Sequence, residues 1–397
     1  MQIIEAEYNI VTPMFIGGGD KNDAPEIRPP SVKGALRFWW RALQWGACLN
    51  LHNQDVSAAL KALHQQEAEL FGAAAKDEAY GQGKVLFGQG KVLLKVKVSK
   101  VGALKSTLNK VARPSGQAYL LGQGLYNFKQ FDLYASITAK QSFKVVLKLQ
   151  DDVDATSLQN ALLVFGLLGG LGSRARKGWG SVAIKALKYT NTEKQVEQIA
   201  IPHNKTTFTQ CLSDLLSNRP ASLPPFTAFS QLTQIHISEE SGNAESLLTT
   251  IGEEMQMYRS FGQNQGNGHK VNRQDAEQNF KGDHDLVYAF TQNQPVTQHP
   301  KRVVFGLPHN YFFSGGAKAD VNGENFSRRA SPLLIHIHQF PTGDCLAVQT
   351  LLPAQFLPDG EKIQLSRNHS TKSIPCDIDW QVITTYLERF NNRERIL

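Results

Sequence analysis

The chain has 397 residues, 41% of them hydrophobic, which excludes a disordered chain and leaves room for two domains with full cores. Its formal charge of +7 is one-sided, with a net +10 in residues 1–190 and a net −3 in residues 191–397. Between residues 81 and 150, 12 Lys and Arg stand against the single acid Asp132, a split that favours an anionic partner, most commonly nucleic acid. Residues 2–11 alternate loosely and predict a first strand, followed by a glycine turn at Gly17-Gly18-Gly19.

The run Arg28-Pro29-Pro30-Ser31-Val32-Lys33-Gly34-Ala35-Leu36-Arg37-Phe38-Trp39-Trp40-Arg41 predicts a loop and then a helix with Ser31 as its N-cap. At about 100° per residue, Lys33, Arg37 and Arg41 share one arc with Gln44 beside them, while Ala35, Leu36, Trp39 and Leu43 lie opposite. Trp40 falls on the border. Cations at i, i+4 and i+8 repel one another, and a polyanion along that face would turn the cost into a gain. A second helix is expected over 54–71. Strands are expected over 91–101, 132–138 and 143–149, the last two as a hairpin. A helix over 155–168 and a strand over 181–187 complete a β-α-β-β-α-β order, the ferredoxin-like split βαβ pattern of many RNA-binding modules.

Between that helix and strand lies Gly169-Gly170-Leu171-Gly172-Ser173-Arg174-Ala175-Arg176-Lys177-Gly178-Trp179-Gly180. Its glycines permit close backbone approach to a ligand, its three cations supply charge, and its N–H groups are candidates for an anion-binding nest. It is not a Walker A loop, since no Gly-Lys-Ser/Thr follows at the required spacing, and it follows a helix where a dinucleotide fingerprint follows a strand. A glycine helix stop in a solvated turn would not require three cations.

Residues 191–228 are polar and Pro-rich and are expected as a linker. A second α+β unit over 229–397 is expected from strands at 231–237, 303–307, 333–338 and 345–351 and helices at 244–259 and 380–390. Gly262–Asp285 and Ser314–Ser327 are so polar that they are expected as mobile insertions. Arg259 and Arg328-Arg329 add weight to a binding site only if they face the same groove as the loop. His336 and His338, two apart on a strand, are expected as a satisfied or exposed pair, and Asp283-His284-Asp285 as a solvated loop.

No G-x-S-x-G, H-E-x-x-H or paired-carboxylate pattern is present, and the stacking aromatics of an RNA-recognition-motif sheet are missing. Cys48, Cys211, Cys345 and Cys376 form no C-x-x-C pair, which argues against zinc and for free thiols in a reducing cytoplasm. Met1–Glu5 carries an acid where a signal peptide needs a basic start, and the longest apolar run is too short and Gly-rich to span a bilayer. A cytoplasmic protein with no membrane association, cofactor or metal is expected.

Thr12-Pro13-Met14-Phe15-Ile16-Gly17-Gly18, the run at 28–41, Leu70-Phe71-Gly72 and the loop at 169–180 resemble the first RAMP (repeat-associated mysterious protein) subunit of Cmr complexes, the type III-B CRISPR effectors. Tyr258-Arg259-Ser260-Phe261, Phe305-Gly306-Leu307-Pro308 and Arg328-Arg329-Ala330-Ser331-Pro332-Leu333 resemble its second half. The resemblance implies an α+β chain of two tandem ferredoxin-like (RRM-like) domains with insertions, residues 1–190 and 229–397, packed face to face. It also implies a non-catalytic subunit near the 3′ part of the CRISPR RNA and its paired target, with other Cmr/RAMP subunits as partners. The expected RNA contacts are Arg28, Lys33, Arg37, Arg41, Gly170, Gly172, Ser173, Arg174, Arg176, Lys177, Arg259, Arg328 and Arg329. The alternative is a metal-independent RAMP endoribonuclease that processes CRISPR repeat RNA, with His269, His284 or His309 as acid or base.

Overall fold

Alternation over the first ten residues builds the central strand of the first sheet. In β1 (Gln2–Ile10), Ile4, Ala6, Tyr8 and Ile10 point into the core, and the buried Tyr8 hydroxyl donates to the Leu162 carbonyl at 2.9 Å. The computed structural model describes residues 1–17, 25–73, 90–98, 103–104, 115–122, 125–127, 132–133, 135–260, 270–271 and 274–397. Much of the glycine turn after Gly17 therefore lies outside the described residues, as does most of 262–273, including His269.

Helix α1 (Pro29–Leu51) begins earlier than expected. Arg28 is its N-cap without a side-chain cap bond, and both prolines sit in the first turn, where their missing N–H groups cost nothing and their fixed φ suits the helix. Ser31 is thus inside the helix and does not cap it. Trp39 and Trp40 are both only 3% exposed, so the border residue is core: Trp40 donates Nε1–H to Ser157 Oγ at 3.3 Å and meets Phe71 edge-on. Helix α2 (Val56–Phe71) is capped by Asp55 and packs on α1.

β2 (Val92–Val98), α3 (Gly116–Leu121), β3 (Ser142–Leu149), α4 (Ala155–Leu168), β4 (Val182–Thr190) and β5 (Val196–Ile199) complete the first unit. Its sheet runs β2-β3-β1-β4-β5, all antiparallel, which is the strand order of a split βαβ fold with one added edge strand. The expected hairpin of 132–138 with 143–149 does not form. β3 pairs with β1 and β2, while Ser136–Ile137 pairs with Ala103–Leu104 and Ile137 also bridges to Met14. The segment 191–228 holds more than a connection. It contributes β5 and α5 (Lys205–Leu215), whose Phe208 and Leu212 are fully buried in the same core.

The second unit begins with β6 (Gln234–Ser241) and α6 (Ala244–Tyr258). An inserted layer follows, with α7 (Lys281–Thr291), β7 (His309–Phe312) and β8 (Lys318–Gly323). The chain then forms β9 (Leu333–Gln339) and β10 (Cys345–Leu351), returns to the insertion with β11 (Lys362–Arg367) and β12 (Ser370–Pro375), and ends in α8 (Gln381–Leu387) and β13 (Glu394–Arg395). The main sheet runs β9-β10-β6-β13, the same order by position in the chain as the first. The insertion is a four-stranded sheet, β7-β8-β11-β12, over its own core with Val287, Val303, Tyr311, Val321 and Leu365.

Three sequence expectations are corrected here. Residues 301–305 form a 3₁₀ helix, not a strand. Residues 318–323, expected in a mobile insertion, are the paired strand β8. Asp283-His284-Asp285 lies in α7, and Asp283 is buried because its two oxygens accept the N–H groups of Lys301 and Arg302 at 2.8 Å each.

Helix α4 explains how the two units hold together. From Ala161 to Leu168 it is buried and apolar all round, as a helix covered on every side must be. It packs against β1 and β4 on one side and β9 on the other, so Leu334, Phe340, Leu346 and Val348 of the second unit join the core of the first. His336 and His338 are buried at this contact. His338 Nδ1–H donates to the Gly166 carbonyl at 3.2 Å, and burial pulls its pKa down to about 4, so both rings are neutral spacers. Among the described residues no helix is long and apolar enough to cross a membrane.

Candidate nucleic-acid interface

The loop leaving α4 is wedged between elements of both units. Ser173 N–H donates to Phe15 O at 2.7 Å and Gly180 N–H to Pro13 O at 2.9 Å. Thr12 Oγ1–H donates to the Gly178 carbonyl at 2.7 Å, and Ile335 N–H of β9 donates to Arg176 O at 3.1 Å. Trp179, 1% exposed, meets Phe15 edge-on. Close approach fixes the glycines: at Gly172, with φ +86°, an added Cβ would stand 2.4 Å from Phe15 O. These glycines are needed to seat the loop, and several N–H groups expected to cradle an anion are already donated within the protein.

The loop cations stay close to one another. Arg174, with φ +65°, donates Nε–H to Leu121 O at 2.7 Å and is exposed as a residue, and burial lowers its pKa. Arg176 donates to Ser331 O at 2.6 Å and lies over the Phe38 ring at 5.2 Å, so α1 and the loop form one continuous wall. Burial, then Arg329, lowers its pKa to about 10. Lys177 reaches Met255 Sδ at 3.6 Å, and burial, then Arg259, Arg174 and Arg176, pull its ammonium down to about 7.

Arg259 and Arg329 therefore do face the loop. Arg259 stacks on Phe305 at 4.8 Å, and Arg329 lies over Phe356 at 5.7 Å while donating to Gln355 O at 3.2 Å. Each keeps a buried Nε–H without a partner. Among the described residues, none of Arg174, Arg176, Lys177, Arg259 and Arg329 pairs with a carboxylate. Arg328, beside Arg329, is exposed and makes no such contact among the described residues. Gly170 bridges to Ser181 and Ser173 stays exposed at the loop tip.

The α1 stripe is arranged differently. Arg37 Nε and Arg41 Nη1 both donate to Glu67 Oε1 of α2, each at 2.5 Å, and Glu67 is 2% exposed. The repulsion expected along the stripe is thus relieved inside the protein, by a residue the sequence did not single out. Among the described residues Lys33 has no carboxylate partner, and burial, then Arg37, lowers its pKa. Lys33, Gly34 and Arg37 line a cleft of about 710 Å³ with Pro29, Pro30, Phe71, Gly72 and Val92–Leu94. Arg28, at the mouth of α1, is half-buried with its Nε–H unpartnered.

Of the histidines offered for proton transfer, His284 and His309 lie among the described residues and are poorly placed for it. His309 is pulled down to about 3 by burial, then by Arg259 and Arg302, and its Nε2 is enclosed. That is far from the near-neutral poise a general base needs. His284 bonds to Asp285 at 3.1 Å and meets Phe313 edge-on, a surface contact of α7. Among the described residues no group of three or more His, Cys, Asp or Glu is placed to hold a metal ion.

Antiparallel sheets in the β9-β10-β6-β13 and β2-β3-β1-β4 orders, joined at a glycine loop rich in cations, define a mixed α/β protein of ferredoxin-like architecture. Residues 7–183 match the family model of the RAMP superfamily. Cmr1 from Pyrococcus furiosus, in its apo crystal form, shares the fold with a TM-score of 0.55 at 17% identity, the match covering 100% of this chain and 99% of that one. A chain of the Type III-B Cmr-beta complex bound to cognate target RNA is 12% identical over 98% of both chains, with a TM-score of 0.48. No curated protein matches the chain.

Proposed function

We propose that this chain is a non-catalytic RNA-binding subunit of a type III-B CRISPR effector in antiviral defence. It would hold the 3′ part of the CRISPR RNA and/or its paired target through backbone contacts, with other Cmr/RAMP subunits as cytoplasmic partners. Two tandem ferredoxin-like units, residues 1–190 and 229–397 joined through 191–228, would form the walls of the groove.

One observation carries the reading: Arg174, Arg176, Lys177, Arg259 and Arg329 gather at the junction of the two units with no carboxylate partner among the described residues. Partly desolvated cations without counter-ions are costly to hold, and a site that keeps them is suited to an anionic ligand. Phosphodiester oxygens are that ligand's chemistry, and arginine forks engage them in pairs. Because the wall offers cations and few free stacking aromatics, binding depends on charge and little on base sequence.

Fluorescence anisotropy with labelled single-stranded RNA over a salt series tests this. Arg174→Ala with Arg259→Ala is expected to weaken binding to every sequence and to flatten the log–log salt slope by about 0.7 per lost phosphate contact. Unchanged affinity and slope would sink the assignment. Co-purification of the chain with neighbouring effector subunits and a guide RNA tests its place in the complex.

A further inference from the structure

Three cations spaced one helical turn apart read as three charges offered to a ligand. The structure places a fourth charge among them. Glu67 is buried on α2, and one of its oxygens accepts from both Arg37 and Arg41 at 2.5 Å. The side chains of both arginines are about one-third exposed, at 33% and 35%, and each retains N–H donors beyond the one given to Glu67. Lys33 lies a turn earlier, lining the same cleft as Arg37.

We propose that Glu67 is the internal counter-anion of the basic helix, holding Arg37 and Arg41 side by side and withholding one unit of positive charge from the ligand. This rests on the RNA-binding reading above. A carboxylate accepting from two guanidinium groups fixes their spacing, since each fork is planar and loses its rotamer freedom once one edge is held. It also caps how many phosphates the helix neutralises. The face carries three cations and acts as two, so α1 holds a polyanion in register without becoming a general polyanion trap. Glu67 is a positioning residue and need not touch the RNA.

The salt dependence of binding separates this role from a merely structural one, because loss of fold lowers the active fraction without changing the slope. With a labelled 20-mer of uridine, Glu67→Gln is expected to steepen the log–log salt slope by about 0.7 and to tighten binding at low salt. An unchanged slope overturns the proposal, whatever happens to the melting temperature. A second comparison serves if Glu67→Gln does not fold. Arg41→Leu removes one cation, and Arg41→Leu with Glu67→Leu removes the pair and restores the net charge. The double variant is expected to keep the parent slope and Arg41→Leu to be shallower by about 0.7; equal slopes for the two overturn the proposal. If the unaltered protein shows no salt-dependent RNA binding, the functional reading itself fails, an outcome distinct from either.

Discussion

At pH 7, Lys177→Met is expected to stabilise the free protein and to weaken its hold on RNA. The Lys177 ammonium sits beside Met255 Sδ, among Arg259, Arg174 and Arg176, and its pKa falls from an ordinary 10.5 to about 7. Between those two values the unfolded chain binds more protons than the folded one, so this residue makes stability rise with pH across that window. Below pH 7 both states carry the proton, and the folded protein bears the full cost of a cation held among like charges. Methionine removes that cost and suits the apolar contact with Met255. At pH 6–7 the gain in unfolding free energy is on the order of 2 kcal/mol, after discounting about 1.4 kcal/mol per pKa unit for the part of the side chain that solvent reaches.

On the RNA-binding reading proposed above, the ligand reverses the balance. A phosphate beside Lys177 favours the ammonium, so binding takes up a proton, and affinity falls as pH rises above 7. Lys177→Met is expected to lose that pH dependence along with part of the affinity. Denaturant melts and anisotropy titrations between pH 6 and 10 check both halves. A stability gap that stays constant across the range would show that Lys177 is not the group that titrates.

The parts of the molecule legible in the sequence are those where local pattern and tertiary demand agree. The period-two runs expected over 91–101 and 143–149 contain the strands Val92–Val98 and, to within one residue, Ser142–Leu149, so alternation located them, though not their pairing; residues 99–101 lie outside the described residues. Pairing failed at 132–138 because a hairpin was the nearest local solution, while the central strand β1 recruits β3 from far away in sequence. The inserted sheet was missed for a related reason. β8 reads Lys-Ala-Asp-Val-Asn-Gly, with only Ala319 and Val321 pointing inward, and its partner β11 lies beyond β9 and β10 in the chain.

The candidate site divides along the same line. Sequence spacing located the basic residues correctly on α1 and the glycine loop, but it treats every cation as facing solvent. Only packing shows that Arg176 leans on Phe38 and that Lys177 turns inward. Glu67 was invisible because a glutamate in Gln-Gln-Glu-Ala-Glu reads as a solvated helix face. A signal was present nonetheless: three cations at helical spacing call for an anion nearby, and α2 was the adjacent element.

Two glycines that look alike in sequence are expected to respond with opposite sign. Gly180 has φ +67°, and a Cβ there would lie 2.1 Å from Leu171 O, a backbone atom of the same loop. Its own N–H goes to Pro13 O and its carbonyl receives Leu171 N–H, so nothing nearby can yield without breaking one of these bonds. Gly180→Ala is expected to cost on the order of 3–5 kcal/mol, from left-handed strain, the clash and the displacement of Trp179 from its seat against Phe15. Gly34 sits within α1, and a Cβ there meets nothing within 4 Å. A glycine in that position costs the helix about 0.5–1 kcal/mol relative to alanine, so Gly34→Ala is expected to raise the melting temperature. Gly34 lines the cleft with Lys33 and Arg37, where on the proposed reading the bare backbone would let a sugar–phosphate chain come close. Gly34→Ala is therefore expected to weaken RNA binding while stabilising the fold. If it stabilises the fold and leaves RNA affinity intact, the ligand does not approach α1 through this cleft, and the junction cations carry the contact alone.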